Sequence, residues 1–589
     1  MSIKEIPSLS ITKDISMPKN TSLVTKGVKL HFFDWCTFLC ILAATALRIL
    51  FLFLGFPGFN GDESVMGLAA LHIAERGEHP IFYYGQNYLG VFDAYFGALL
   101  FRLFGTSINT LRVGNILLYA ACMLCVYLLT ARLYSKAFAL FIMILLGLGT
   151  QFLYVFEISA IGYAGLSFFC ALLFLLAYHL TATYTQSFRI RRILSYLLWG
   201  LVAGLALWSH LITVPYIAAS GLLLLLCCWR EFLKWGVWCM LIGAIIGAWP
   251  LIYYNLHAVA GQDSIHIFFS MSQLGADQHY TLQEQIASAL FVALPQTLGL
   301  FSSCYVGQIA HVPPLQAQAQ ACYTLQQTYG LAYVFLFLAS LIGGIVALFR
   351  YRVVLLKKRF NANQSDKQGD GPQRMTHLCL LFAGALTLVV FAKNPSSVFT
   401  GQLGVRYIIC LLVSLPAVLY PLWYVIQKHS YRWRITSGLL TVTSSVLLIC
   451  LVLLASEANV ALVQSTVQQR PSQQQTFFAL EGRLNQMHIT RFYSEYWTCF
   501  PLIMLSHEKL VCGDTWESNG TIIHGFDRYA PYRAMVEASD NPAYVYPDGF
   551  LQIQDLEKAL KETGTPYIHA SIDHYEIYQP LHPIPSMKL

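Results

Sequence analysis

Long apolar runs without a single charge set the terms for this chain. Residues 137–156 and 235–254 are two of many such runs. They reach the roughly 20 residues that cross a bilayer. In hydrocarbon every backbone polar group needs an internal partner, so such runs must be helical. Only 11% of the 589 residues are charged and 56% are hydrophobic. A soluble domain carries about 25% charged residues, and no single soluble core absorbs so much apolar sequence. Lipid is therefore the expected solvent.

The runs predict a polytopic α-helical protein with about eleven transmembrane helices. They fall near 34–56, 113–131, 137–156, 160–180, 193–209, 211–228, 235–254, 328–349, 376–392, 406–426 and 435–455. An odd number puts the termini on opposite sides. Lys and Arg orient the chain. With the N-terminus inside, 22 of the 28 basic residues before position 457 fall on inner segments. The net charge of +7 reflects that bias rather than nucleic-acid binding. Counting 90–105 as a full span would move Arg189, Arg191 and Arg192 outside. The stretch Leu89–Phe104 is therefore expected as a short helix on the outer surface.

Three regions follow: a cytosolic tail at 1–33, a transmembrane domain at 34–456 with an outer loop at 57–112, and an extracytoplasmic domain at 457–589. No cleavable signal peptide is visible, and 361–373 reads as a disordered inner loop. Fifteen of the 30 acids lie after residue 456. There, short strand-like runs (488–493, 509–512, 543–545, 567–570, 575–578) alternate with helical ones (497–506, 553–563), predicting a small α/β domain. Aromatics at 493–497 suit either core packing or stacking on a sugar. Cys304, Cys322, Cys499 and Cys512 lie in outer segments, where the pairs Cys304–Cys322 and Cys499–Cys512 are plausible disulfides. The Asn519-Gly520-Thr521 sequon marks a surface loop if the host glycosylates.

Acids are scarce before residue 457, and each one near a membrane face needs a reason. Asp62 and Glu63 follow the first helix directly. Asp62 can cap a short helix running to about Arg76, closed by Gly77 and followed by Pro80. Capping explains one acid but not two. A carboxylate placed there can act as general base toward an acceptor hydroxyl or amine.

The setting of this pair resembles a known family. The pattern runs Gly61-Asp62-Glu63, Gly67-Leu68-Ala69-Ala70, Arg76-Gly77-Glu78-His79-Pro80, and Tyr83-Tyr84-Gly85-Gln86-Asn87-Tyr88-Leu89-Gly90. Leu103-Phe104-Gly105-Thr106-Ser107 and Leu111-Arg112-Val113 complete it. It is similar to the first outer loop of GT-C membrane glycosyltransferases that use polyprenyl-phosphate sugars. Protein O-mannosyltransferases, lipid A aminoarabinose transferases and uncharacterised bacterial relatives belong to that group. The likeness is best over 34–180 and returns at Gly404-Val405-Arg406-Tyr407. It implies a GT-C-like fold with an outer C-terminal domain. It also implies transfer of a single sugar from a polyprenyl phosphate to a lipid, glycan or protein acceptor, usually with inversion. By position Asp62 is the base, with Glu63 beside it. Two departures matter. Ser64-Val65-Met66 stands where aminoarabinose transferases usually carry an Arg. The second outer loop offers only Glu157 rather than an Asp-x-Asp-like pair, which argues against a metal-using oligosaccharyltransferase.

A departing lipid phosphate needs cations. Arg112, Arg406, Lys393 and His210 are the outer candidates, with snorkelling or loop packing as the alternative for each. Arg406 with Tyr407 opens a late helix. Glu157 can bind sugar hydroxyls or mark the water boundary. Tyr84, Gln86 and Asn87 offer stacking and hydrogen bonds, or simply pack the loop. No Walker motif, metal-ligand spacing or haem site is present, so no cofactor is expected, although a divalent metal stays open. The expected location is a bacterial plasma membrane. A transporter or flippase of lipid-linked sugars predicts repeats and deep charge, and the spans show almost none. A non-catalytic envelope assembly protein leaves Asp62 and Glu63 unexplained.

Overall fold

A computed structural model describes residues 32–184, 189–272, 279–298, 317–360, 370–429, 435–468 and 473–584. Among them, eight helices are long and apolar enough to cross a membrane. Two further pairs, Lys136–Gly147 with Gln151–Ile158 and Gly401–Ile408 with Leu411–Gln427, are bent by 88° and 89° at their breaks. The protein is an integral membrane protein.

The run Leu211–Gly247 counts among the eight, yet it holds two passes. Cys228 leaves helical geometry and a five-residue π turn, Phe232–Gly236, follows. Beyond that break, Val237–Gly247 packs parallel to Arg189–Ser209. A Cβ at Gly200 would fall 2.1 Å from the Met240 carbonyl oxygen, and one at Gly204 would fall 2.3 Å from that of Ala244. One reversal gives antiparallel neighbours, so a parallel pair requires a second reversal at the break. Glycines permit the close approach because no side chain intervenes. With this reversal, and with each bent pair counted as one span, the described residues offer up to eleven passes in the places expected.

The outer loop after the first helix Phe32–Phe53 forms a helix, Gly61–Leu71, which ends in a π turn, His72–Arg76. Gly77 closes it in left-handed geometry (φ 66°), as the sequence leads one to expect. A small antiparallel hairpin follows, β1 (Phe82–Tyr83) and β2 (Gln86–Gly90). Phe92–Phe104 is then a 13-residue helix, too short to span at 1.5 Å per residue.

Beyond the membrane helices lies a six-stranded mixed sheet. Its strands are β3 (Arg491–Ser494), β4 (Val511–Ser518), β5 (Thr521–His524), β6 (Ala543–Pro547), β7 (Tyr567–Ile572) and β8 (Tyr575–Pro580). The order is β5-β4-β3-β6-β8-β7. β3 pairs in parallel with β4 and β6, and the remaining pairs are antiparallel. The boundary expected at 456 falls inside the helix Ile435–Gln468. Cys499 and Cys512 form a disulfide that ties the helix Tyr496–Leu505 to β4. Cys304 lies outside the described residues.

One hydrophobic core joins this sheet domain to the outer loop. Phe59, Met66 and Leu68 are buried with Phe477, Phe500 and Met504. Gly67 lets the Met504 sulfur approach the loop helix: a Cβ there would sit 3.1 Å from it. The loop and the C-terminal domain are thus packed as one body above the membrane helices.

Candidate active site

Asn60, not Asp62, caps the loop helix. Its backbone is extended (φ −136°, ψ 165°) and its side chain accepts from the Glu63 N–H at 2.9 Å. This corrects the capping expectation, and it leaves the Asp62 carboxylate free for other work. Gly61 makes room for what comes to meet it. A Cβ there would lie 2.6 Å from the Tyr496 ring. The Tyr496 hydroxyl donates to Asp62 Oδ1 at 2.7 Å, and the Tyr83 hydroxyl donates to the Asp62 carbonyl at 3.0 Å. Asp62 is half-buried, and among the described residues Oδ2 accepts no hydrogen bond.

Glu63 points elsewhere. It is fully buried, and Arg112 grips it with Nε at 2.8 Å from Oε1 and Nη2 at 2.6 Å from Oε2. The Ala160 N–H adds a third bond at 3.1 Å. The expectations for both residues are corrected together. Glu63 lies within the packed protein rather than at the cleft, and Arg112 is occupied by Glu63. Their pairing fixes the loop helix onto the membrane helices. Glu157 is corrected in the same way. It sits deep, fully buried, with Arg48 Nε donating at 2.8 Å. Arg48 also lies over the rings of Tyr119 and Tyr154. Deep charge therefore exists, but it is paired.

Tyr84 takes the second of its two expected roles and packs the loop. Its hydroxyl meets His72 Nδ1 at 2.7 Å and Glu78 at 3.3 Å. On the other side His72 Nε2 meets Glu508 at 3.1 Å and the Tyr532 hydroxyl at 3.2 Å, and Arg76 pairs with Glu508. This network latches the loop to the C-terminal domain. Burial would raise the Glu508 carboxyl, but bonds from His72 and Tyr532 and the charge of Arg76 bring it down to about 2.

Side chains of β2 alternate in direction. Gln86 turns its amide oxygen to Arg528, 3.1 Å from Nη1, and Tyr88 reaches the membrane domain. Asn87 faces the opposite way, against the Tyr254 hydroxyl.

Tyr88 helps line a cavity of about 450 Å³. Its walls are mostly apolar, with Val214, Pro215, Phe268, Leu386 and Phe391 among them. Tyr88, His210, Asn394, Ser396 and Tyr407 give it polar groups. His210 is 2% exposed, and its Nδ1 accepts from the Ile212 N–H at 3.2 Å. Burial first, and the Arg406 charge second, push it down to about 3. It is thus a neutral group in the wall rather than a proton shuttle at neutral pH. Arg406 lies 4.8 Å over the Tyr407 ring, and its Nε is buried without a hydrogen-bond partner. Asp62, Tyr88 and Tyr163 all lie within its electrostatic reach. The structure therefore brings together Asp62, Tyr88, His210, Arg406 and Tyr407.

Sequence reasoning missed Arg528 and Tyr163, and saw Tyr83 only within the loop motif and Tyr496 only as part of an aromatic run. Arg528 has Asp62 within electrostatic reach and lies over the Tyr83 and Tyr496 rings at 5.4 and 5.3 Å. Its one signal in the sequence is a lone Arg between aromatics, Phe526-Asp527-Arg528-Tyr529.

No protein-family model and no curated protein matches the chain. Solved structures do. The oligosaccharyltransferase of Archaeoglobus fulgidus, in complex with Zn and sulfate, aligns with a TM-score of 0.50 at 14% identity, covering 92% of this chain and 72% of that one. The chain has a GT-C-type fold. The same archaeal enzyme, AglB, with an inhibitory peptide and a dolichol-phosphate aligns at 0.49 and 12% identity, over 93% of this chain and 74% of that one. ArnT from Cupriavidus metallidurans, bound to undecaprenyl phosphate, aligns at 0.44 and 12% identity, over 93% and 98%. In this fold the loop helix, the cavity and the sheet domain converge on Asp62. Among the described residues, no group of three or more His, Cys, Asp or Glu is placed to hold a metal ion.

Proposed function

We propose that the protein is a membrane glycosyltransferase that moves a single sugar from a polyprenyl phosphate to an acceptor, with inversion. The supporting observation is the pairing of two unsaturated groups. Asp62 keeps one carboxylate oxygen open, and Arg406 keeps an unpartnered buried Nε beside an apolar cavity. An apolar cavity with a cationic end suits a lipid chain that carries a phosphate.

In this reading the polyprenyl chain lies in the cavity, with Tyr88, His210 and Tyr407 around its head. The acceptor hydroxyl or amine gives its proton to Asp62 Oδ2. Its freed electron pair forms the new bond to the anomeric carbon. The bond from that carbon to the phosphate oxygen breaks with its electrons, and Arg406 offsets the charge that develops. Tyr496 holds the carboxylate in position. Glu63, Arg112, Arg48 and Glu157 build the frame. The N-terminus lies in the cytoplasm and the sheet domain on the outer face of a bacterial plasma membrane. The acceptor is a lipid, glycan or protein reached from that face.

Purified protein in nanodiscs, given a panel of polyprenyl-phosphate sugars and a membrane extract as acceptor, tests this reading. Release of polyprenyl phosphate by wild type and its loss in folded Asp62→Asn are expected. Absence of turnover and of binding with every donor would favour the transporter or scaffold alternatives.

A further inference from the structure

Among the described residues Arg528 is a cation with no carboxylate at ion-pair distance, although Asp62 and Asp514 lie within its electrostatic reach. It follows β5 and lies over the rings of Tyr83, Tyr496 and Phe526 at 5.4, 5.3 and 5.2 Å. Its Nε is buried without a hydrogen-bond partner. Arg48, Arg112 and Arg192 each hold a carboxylate at ion-pair distance, whereas among the described residues none comes so near Arg528. The Asp514 carboxylate is engaged by the Phe526 N–H at 2.6 Å, and the Asp514 carbonyl accepts from the Gly525 N–H at 2.8 Å. The strap carrying Arg528 is therefore fixed in place. A largely desolvated guanidinium over aromatic faces, with the neutral Gln86 amide on its Nη atoms, an open Nε and no carboxylate at ion-pair distance among the described residues, is arranged for an incoming oxyanion.

In the glycosyltransferase reading the donor phosphate already has its cation in Arg406. Arg406 lies among membrane-domain rings, Tyr163 and Tyr407, beside the cavity. Arg528 lies among loop and sheet-domain rings, Tyr83, Tyr496 and Phe526, with Asp62 and Tyr88 in electrostatic reach of both arginines. Beside it runs an exposed aromatic row. Trp497, Phe526 and Trp516 are 52%, 58% and 56% exposed, far above what a packing role needs. They connect through Tyr496, with ring centroids 5.0 Å apart for Trp497–Tyr496, 6.0 Å for Tyr496–Phe526 and 6.5 Å for Phe526–Trp516. Tyr496 is also the residue bonded to Asp62. Contiguous exposed aromatics mark a binding face, and their flat faces suit the C–H faces of sugar rings. A guanidinium within the row suits a polar ring-bearing ligand rather than a hydrocarbon surface.

We propose that the acceptor is an acidic glycan, with its carboxylate or phosphate on Arg528 and its sugar rings on Trp497, Phe526 and Trp516. This rests on the glycosyltransferase reading and names the substrate class of the same site. The test uses the full-length protein in nanodiscs with radiolabelled sugars on undecaprenyl phosphate and a glycan extract of the host envelope as acceptor. Leftover donor is destroyed by mild acid, and the labelled product is run on an anion-exchange column. Retention of the product is expected. Arg528→Gln should raise the half-saturating acceptor concentration about tenfold or more, Arg528→Lys should recover part of it, and Trp516→Ala should raise it several-fold. A labelled product that passes through unretained overturns the proposal. So does an Arg528→Gln variant that weakens donor saturation while acceptor saturation stays as in wild type. Absence of transfer by wild type with any donor overturns the glycosyltransferase reading and this inference with it. Digestion of the retained product with a phosphatase then tells a phosphate from a carboxylate.

Discussion

Asp62 and Glu63 are neighbours on one helix turn, yet they live in opposite surroundings. Glu63 is fully buried and saturated by Arg112 and the Ala160 N–H. Asp62 is half-buried, bonded on one oxygen by Tyr496 and open on the other. The same contrast separates two arginines. Arg48 is satisfied by Glu157 and by the Ala44 and Gly147 carbonyls, while Arg406 keeps an unpartnered Nε at the cavity. Saturated charge builds a membrane protein, and unsaturated charge marks where a ligand belongs. Successive residues on a helix differ by about 100° in direction, which is how one turn serves both ends.

Asp62→Asn probes the unsaturated side most strongly. Transfer should fall by ~10²–10⁴-fold, the usual worth of a general base, with the melting temperature nearly unchanged. On the saturated side, Arg112→Met leaves Glu63 buried without its partner. Stability should drop by ~3–5 kcal/mol, read as a lowered thermal midpoint. Arg406→Gln removes charge opposite the leaving phosphate and should cost ~10²–10³-fold in turnover with little loss of stability. A large stability loss there would instead place Arg406 with the builders.

Two smaller effects concern the sheet domain. Glu508→Gln weakens the latch to His72, Tyr532 and Arg76 by about 1.5–3 kcal/mol, visible as faster proteolysis between loop and domain. The wild-type carboxyl is depressed to about 2, so its stabilisation is present above the ordinary Glu range and is lost as pH falls toward 2. Asp514 runs the other way. Burial pushes it up to about 7, so its contribution is full at low pH and is lost as pH rises through 7. Asp514→Asn should remove roughly 1 kcal/mol of that pH dependence between pH 5 and 8, a figure reduced for its partial solvent exposure.

Much of this architecture was legible in the chain itself. Apolar length marked the long helices, and Gly77 marked the end of the loop helix. Five of the sheet-domain strands were visible. β5 was missed although Asn519-Gly520, read as a sequon, is a strong hairpin-turn signal. Both residues have positive φ there, 53° and 76°. The cap was placed two residues late because Asn60 and Asp62 are both good capping residues. Charge partners were the hardest to see. Glu63 and Arg112 stand 49 positions apart, and Arg48 and Glu157 stand 109 apart. Tyr496 meets Asp62 from 434 positions away. Such pairs are set by tertiary packing, which leaves no local period to read.

Asp62→Asn and Glu63→Gln, prepared side by side in nanodiscs, test the central claim most directly. Polyprenyl-phosphate release per folded molecule and the thermal midpoint would be measured for each. The account expects Asp62→Asn to lose release and keep its midpoint, and Glu63→Gln to lose midpoint while its folded fraction still releases product. An active Asp62→Asn, or a Glu63→Gln protein that melts like wild type and is inactive, would contradict it.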